Sequence, residues 1–198
     1  MATETKKKKR WKPDSSKYSI PYNLSYYAPA IHPGAYFGME LPLMRRYKNR
    51  EAKRLLVKMG LRDSTTTKTS FDRLIFEPGL GIYNRRFNHM GTYLGANLFY
   101  RRTFHSRLFT DFGMELGRIF YLYSDVIEFD ERNNPVSRNL ASKGYFQTGL
   151  NASLGYEFSD RFSLFYRYHI GILFPFNHSL STYGRNELGF RITRKSQP

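Results

Sequence analysis

Residues 146–172 read FQTGLNASLGYEFSDRFSLFYRYHIGI, and this stretch decides the fold class. Bulky apolar residues dominate its even positions, and polar or small residues dominate its odd positions, on both sides of a polar turn at Ser159-Asp160-Arg161. A period of two is that of a β-strand whose two faces meet different surroundings. Two such strands joined by a tight turn predict a β-hairpin.

The same alternation recurs in six further segments of the chain. They are residues 18–28, 35–43, 74–84, 90–102, 108–124 and 187–192. No apolar run approaches the roughly 20 residues of a membrane-spanning helix. The chain has no cysteine, which excludes disulfides and thiolate metal sites. We therefore predict one all-β domain over residues 18–194, an eight-stranded antiparallel up-and-down barrel.

The bulky face of these strands is predicted to point outward, because an eight-stranded barrel has only enough interior room for side chains. The other face alternates glycine with charged residues, which we expect to pair with one another, since a lone buried charge is costly. This predicted lumen charge network comprises Glu40, Glu77, Arg101, Glu115, Glu157, Arg167, Glu187 and Arg191. An apolar exterior with rings near the strand ends, such as Tyr100 and Tyr156, is typical of a transmembrane barrel with a polar, side-chain-filled lumen.

The net charge of +16 is concentrated in two segments. Residues 1–17 hold seven Lys or Arg against two acids, and residues 45–68 hold nine against two, so these segments carry 12 of the 16 charges. The first is predicted to be a flexible basic tail, and residues 195–198 a second tail. The second belongs to a predicted basic insertion, residues 44–70, in which residues 51–59 could form a short amphipathic helix ended by Gly60. Its predicted docking residues are Arg45, Arg46, Lys48, Arg50, Lys53, Arg54 and Lys58.

The two shortest turns, residues 103–106 and 159–161, fall on the same side of the predicted barrel. Outer-membrane barrels keep short turns in the periplasm, so both termini and the basic insertion are predicted there. The outer loops are then residues 29–34, 85–89, 125–143 and 175–183. Residues 6–10 resemble the basic start of a signal peptide, but no apolar stretch follows them. A leader removed before residue 1 and a mistaken membrane interpretation both stay open.

The alternation over residues 18–193 resembles the small outer-membrane barrels typified by the OmpA transmembrane domain and OmpX. Three clusters on the predicted outer loops are similar to segments of uncharacterised Bacteroidota outer-membrane barrels. They are His32-Pro33-Gly34, Arg86-Phe87-Asn88-His89 and Pro175-Phe176-Asn177-His178-Ser179. The resemblance implies an outer-membrane barrel and carries no known activity to this chain.

One weak candidate for catalysis is His178, with Ser179 or Ser181 as nucleophile and Glu187 as orienting group. Lipid A deacylases with barrel folds use such a set. Here the spacing differs from their His-x-Ser pattern, and Glu187 points into the lumen by parity.

Histidines of the outer loops, His32, His89 and His178, could meet at a metal, although separate surface histidines are the simpler interpretation. His169 is expected in the lumen in a hydrogen-bonded structural role. Arg118 is expected on the outer face, where it could pair with lipopolysaccharide phosphates. No catalytic, cofactor-binding or metal residue is predicted.

The function predicted from the sequence is that of a non-enzymatic outer-membrane scaffold or accessory subunit of a larger envelope complex, in contact with membrane lipid and lipopolysaccharide. A lipid A-modifying enzyme using the His178 region is the first alternative. A soluble basic β-protein that binds nucleic acid is the second. This second alternative is disfavoured, because aromatic rings that recur at every second position on the lipid-facing side are poorly placed to stack on bases.

Overall fold

The computed structural model shows a closed antiparallel β-barrel. The structure describes residues 11–13, 20–29, 33–50, 68–85, 89–104, 106–129, 135–176 and 179–193. Its strands are β1 (Lys12–Pro13), β2 (Pro21–Pro29), β3 (Gly34–Met39), β4 (Leu41–Arg50), β5 (Lys68–Arg85), β6 (His89–Thr103), β7 (Leu108–Phe129), β8 (Pro135–Glu157), β9 (Phe162–Phe176) and β10 (Ser179–Thr193). Among these residues, no helix is long and apolar enough to cross a membrane.

Eight strand positions close the barrel. β3 and β4 both pair with β5 and together occupy one position. From β5 to β10 each strand pairs with the next along the chain, β10 pairs with β2, and β2 pairs with β3. All these pairings are antiparallel, so the prediction of an eight-stranded antiparallel up-and-down β-barrel is confirmed.

The break between β3 and β4 falls at Glu40, at the point where Met39 and Glu40 pass Pro78 and Glu77 of β5. The β3–β5 ladder ends at Gly38↔Gly79, and the β4–β5 ladder starts at Leu41↔Phe76. Proline has no backbone N–H to donate to a ladder. β5 itself runs on through Pro78, and the interruption lies in the neighbouring strand.

Apolar and polar residues that alternate along the strands lie on opposite faces of the barrel, as the period of two requires. Leu116 and Phe112 of β7 are 64% and 62% exposed, while Arg167 of β9 is fully buried. The buried face is not only charged, because it also holds aromatic rings such as Tyr93 and Phe165. The interior is therefore a mixture of charged groups and rings.

Several strands are longer than the segments of apolar alternation that predicted them. β4 reaches Arg50 and pairs with β5 as far as Lys68, so both ends of the expected insertion 44–70 are paired strands. β7 and β8 likewise pair from Leu108↔Tyr156 to Phe129↔Pro135, within the expected outer loop 125–143. The hydrogen bonds between strands join backbone groups and need no apolar side chains. A strand can therefore continue past the stretch of alternating apolar residues that predicted it. Residues 51–67, with the predicted helix, Lys53, Arg54 and Lys58, lie outside the described residues.

The short strand β1 was not foreseen, since residues 1–17 were expected to be a flexible tail. Lys12 pairs with Arg45 and Pro13 with Met44, on the edge of β4. This pairing brings Lys12 beside Arg45, so the described residues of these two basic segments contact each other although they are far apart in sequence.

Two glycines of the buried face allow rings to lie directly on the backbone. A Cβ on Gly79 would overlap the Tyr36 ring, and a Cβ on Gly155 would overlap the Phe109 ring. Glycine in a strand often marks such a close approach. The small residues of the polar face thus make room for the aromatic side chains of the interior.

Candidate functional site

The interior holds a chain of ion pairs that starts near the short turns. There Arg101 donates to Asp111 through Nε and Nη2 at 2.7 and 2.8 Å, and to Glu40 through Nη1 and Nη2 at 2.6 and 2.8 Å. Arg191 donates from Nε to Glu40 at 2.9 Å and from Nη1 to Ser163 at 3.2 Å. We call Arg101, Arg191, Glu40 and Asp111 the mouth cluster.

The central cluster lies deeper in the barrel and consists of Arg167, Glu77, Glu187, Asn97 and Tyr36. Arg167 donates to both oxygens of Glu77 at 2.8 and 3.2 Å, and its Nη1 lies 3.5 Å from Glu187. Tyr36 and Asn97 donate to the same Glu77 carboxylate at 3.1 and 3.0 Å. A two-pronged pair with further donors is the geometry that makes a buried carboxylate tolerable.

The upper cluster is built around Glu115, which receives hydrogen bonds from three strands. Gln147 donates at 2.7 Å, Arg185 donates at 2.8 Å, and the Tyr183 hydroxyl also donates to it. His169 joins this cluster to the central one, with Nδ1 2.6 Å from Glu115 and Nε2 3.0 Å from Glu187. The expected structural role of His169 in the interior agrees with these contacts.

Rings fill the space between these clusters. The Arg191 guanidinium lies 4.4 Å from the Phe109 ring centroid, and that of Arg167 lies 5.0 Å from Phe165. Seven buried side chains, among them Tyr36 of the central cluster, pack as one mostly aromatic group: Tyr36, Tyr83, Tyr93, Ile119, Tyr121, Tyr145 and Leu173. Cation–ring contacts and hydrogen bonds thus continue through the described interior.

Carboxylates and guanidiniums are nearly equal in number in the described interior. Among the described residues, its buried carboxylates are Glu40, Glu77, Asp111, Glu115 and Glu187. Four guanidiniums face these five carboxylates, those of Arg101, Arg167, Arg185 and Arg191, and His169 lies between two of the carboxylates. Such a paired network is suited to holding a barrel together, because each of these buried carboxylates contacts a guanidinium or the His169 imidazole.

A cavity of about 510 Å³ opens at the short-turn end, below the mouth cluster. Arg73, Arg101 and Arg191 line it, together with Glu157 and Asp160. Glu157, predicted as part of the lumen network, is half-buried and lies at this mouth rather than within the clusters. Charges of both signs line the cavity, so it has no single preferred sign of ligand.

A second polar group lies on the outward face at the same end. Asp72 of β5 is fully buried between Arg46 of β4 and Arg102 of β6, with N···O distances of 3.0 Å to each. Arg102 also donates to the Tyr100 hydroxyl at 2.7 Å. The Trp11 ring covers this group, with its centroid 4.8 Å from the Arg46 guanidinium carbon. We call Trp11, Arg46, Asp72, Tyr100 and Arg102 the rim cluster.

The structure places the predicted residues as follows. Seven of the eight predicted lumen charges are buried and joined by ion pairs, and Glu157 is the exception. Arg45 and Arg46 lie on β4, and Arg118 is exposed on the outer face. Lys48 and Arg50 also belong to β4, but their side chains lie outside the described part, as does His178.

Sequence reasoning missed Arg185 and Asp111 as members of the network. Both occupy the odd positions that carry the other buried charges of β10 and β7, so parity was sufficient to find them. The rim cluster had no such signal, because Asp72 stands on the apolar parity of β5. Within the described residues, no group of three His, Asp or Glu side chains is arranged to hold a metal ion.

Comparison with known proteins adds no relative. No family model, no curated protein and no solved structure matches the chain. The functional interpretation therefore depends on the geometry of the barrel itself.

Proposed function

We propose that this chain is a non-enzymatic transmembrane barrel of a bacterial outer membrane, with an architecture like that of the OmpA transmembrane domain. In this proposal it acts as a scaffold or accessory subunit of a larger envelope complex. The short-turn end faces the periplasm and docks a protein partner through its basic hairpin.

The outward face is the observation that carries the membrane placement. Large apolar side chains are exposed on every strand from β2 to β10, for example Leu24, Phe37, Leu94, Leu150 and Ile170. Soluble monomers rarely expose contiguous apolar patches beyond a few hundred Å². A bilayer around the barrel would cover this belt, and the closed sheet leaves no unpaired barrel edge in lipid.

The filled interior supports a scaffold rather than a channel. Arg167 and His169 are fully buried at its centre, and both are held by carboxylates. Water-filled porins need 16 or more strands, whereas eight strands leave room only for side chains. The nucleic-acid alternative gains no support, since the outward rings lie within the apolar belt.

The basic end supports docking. β1 pairs with β4, so Lys12 lies opposite Arg45 on the strand that also carries Arg46. A concentration of one charge at one end raises the local concentration of an oppositely charged partner. We infer an acidic periplasmic surface on that partner.

Detergent extraction of the native membrane, followed by affinity purification, tests both parts of the proposal. We expect the protein in the outer-membrane fraction with a stoichiometric partner. Replacing residues 51–67 by Asn-Gly should release the partner, because this turn closes a hairpin without the basic loop. Replacing residues 130–134 by Asn-Gly at the opposite end is the matched control and should retain it.

Other outcomes of this experiment refute parts of the proposal. Extraction without detergent refutes the membrane placement. An outer-membrane barrel purified alone refutes the scaffold role. An altered lipid A mass profile on His178→Ala would favour the enzymatic alternative.

A further inference from the structure

A buried carboxylate on the outward face needs a reason. Outward positions of β5 nearby hold Leu74 and Phe76, but the same parity places Asp72 there with no exposed surface. A buried carboxylate is stable only when it is paired and hydrogen-bonded. Asp72 accepts hydrogen bonds from Arg46 on Oδ2 and from Arg102 on Oδ1.

The Asp72 carboxylate holds the guanidiniums of Arg46 and Arg102 in place but uses only some of their N–H donors. Within the rim cluster, two guanidiniums and one carboxylate give a net positive charge. The side chains of Arg46 and Arg102 remain 24% and 30% exposed. A guanidinium has five N–H donors in a fixed fork, and a single carboxylate oxygen uses only one of them on each side. This arrangement suits a second anion with several oxygens, approaching from outside the barrel.

The position of the rim cluster identifies the kind of anion. The next outward row toward the middle of the barrel is Met44↔Leu74↔Tyr100↔Phe112, which is largely apolar. Trp11 and Tyr100 lie in edge-to-face contact, with centroids 6.2 Å apart, at this boundary between apolar and charged rows. Trp and Tyr are enriched where the headgroups of a bilayer meet its hydrocarbon.

We propose that the rim cluster binds the headgroup phosphate of an anionic phospholipid, with the acyl chains lying against Leu74 and Phe112. Arg46 and Arg102 contact the phosphate, Asp72 sets their orientation, and Trp11 covers the site. Juxtamembrane cations attract anionic lipid in this way. The inference rests on the membrane placement proposed above and adds the class of lipid and its binding residues.

The chain supplies its own probe, since Trp11 is its one tryptophan. The barrel is reconstituted in vesicles that mix phosphatidylcholine with phosphatidylglycerol, and either lipid carries brominated acyl chains. Bromine quenches the Trp11 fluorescence on contact, so the ratio of the two quenching curves gives the lipid preference at this site. We expect phosphatidylglycerol to be preferred about fivefold, the effect of one basic contact near a membrane surface.

The variant Arg46→Gln/Asp72→Asn/Arg102→Gln removes all three charges. The three introduced amides can still form hydrogen bonds with one another. We expect its lipid preference to fall to about one. Arg107→Gln/Arg161→Gln is the matched control, because both arginines are exposed in the short turns of the same end. It should keep the preference. Arg46→Lys/Arg102→Lys retains the positive charges but not the planar guanidinium with its several N–H donors. Its lipid preference should be intermediate.

Flotation of the barrel with the vesicles is scored separately, which distinguishes the two proposals. A barrel that floats but is quenched equally by both lipids refutes the phospholipid site and leaves the membrane placement standing. A barrel that does not float refutes both. Loss of the preference on adding inorganic phosphate at constant ionic strength would assign the site to a soluble anion and overturn the lipid assignment.

Discussion

Replacement of Glu77 by Leu tests whether the interior network is a dry structural element. Glu77 accepts hydrogen bonds from Arg167, Tyr36 and Asn97, and the next carboxylate near Arg167, that of Glu187, is 3.5 Å away. Removing one partner of a buried ion pair typically costs about 3–5 kcal/mol, because the other charge is left uncompensated. We expect Glu77→Leu to lower the free energy of unfolding by that amount.

The double variant Glu77→Leu/Arg167→Met provides the internal control. Both charges leave together, so the remaining cost should be about 1–3 kcal/mol from the unsatisfied polar neighbours. Urea unfolding of the barrel in phospholipid vesicles, followed by the mobility shift of unheated samples on gels, measures both values. Water in an open lumen would solvate Arg167. A Glu77→Leu loss below about 1 kcal/mol, or a double-variant loss larger than the Glu77→Leu loss, would therefore refute the buried network.

Three further outcomes are expected. Leu116→Arg, on the outward belt, should cost about 2–4 kcal/mol in vesicles, and a change within 0.5 kcal/mol would contradict the lipid-facing assignment. Gly155→Ala should cost about 1–3 kcal/mol through overlap with the Phe109 ring, whereas Gly184→Ala on the exposed face should cost less, as the same unfolding assay can verify. The purified barrel in planar bilayers should give no steady conductance, since the interior is filled; stable open channels at the single-molecule level would exclude the scaffold interpretation.

Much of the candidate site was predictable from parity alone. Glu77, Glu115 and Arg167 stand on the glycine-bearing face of their strands, and in a closed narrow barrel that face can only be the inner one. Their partners were not predictable. Glu77 and Arg167 are 90 residues apart, and only the closure of the sheet brings them within 2.8 Å.

The alternation of apolar residues did not predict the rim cluster or β1. Asp72 occupies an apolar-parity position, and two isolated residues such as Lys12 and Pro13 carry no alternation. Their placement depends on β4 running past the barrel to Arg50 and offering an edge to pair with. Neighbours in space, rather than local sequence, determined these contacts.

The sequence by itself determined the all-β class, the number of barrel strands and the side to which almost every strand residue points, because a strand has a fixed period of two. The tertiary structure decided which charges meet, how far the hairpins extend and where β1 pairs with β4. Those features depend on register around a closed sheet, which sets distances between residues from opposite ends of the chain.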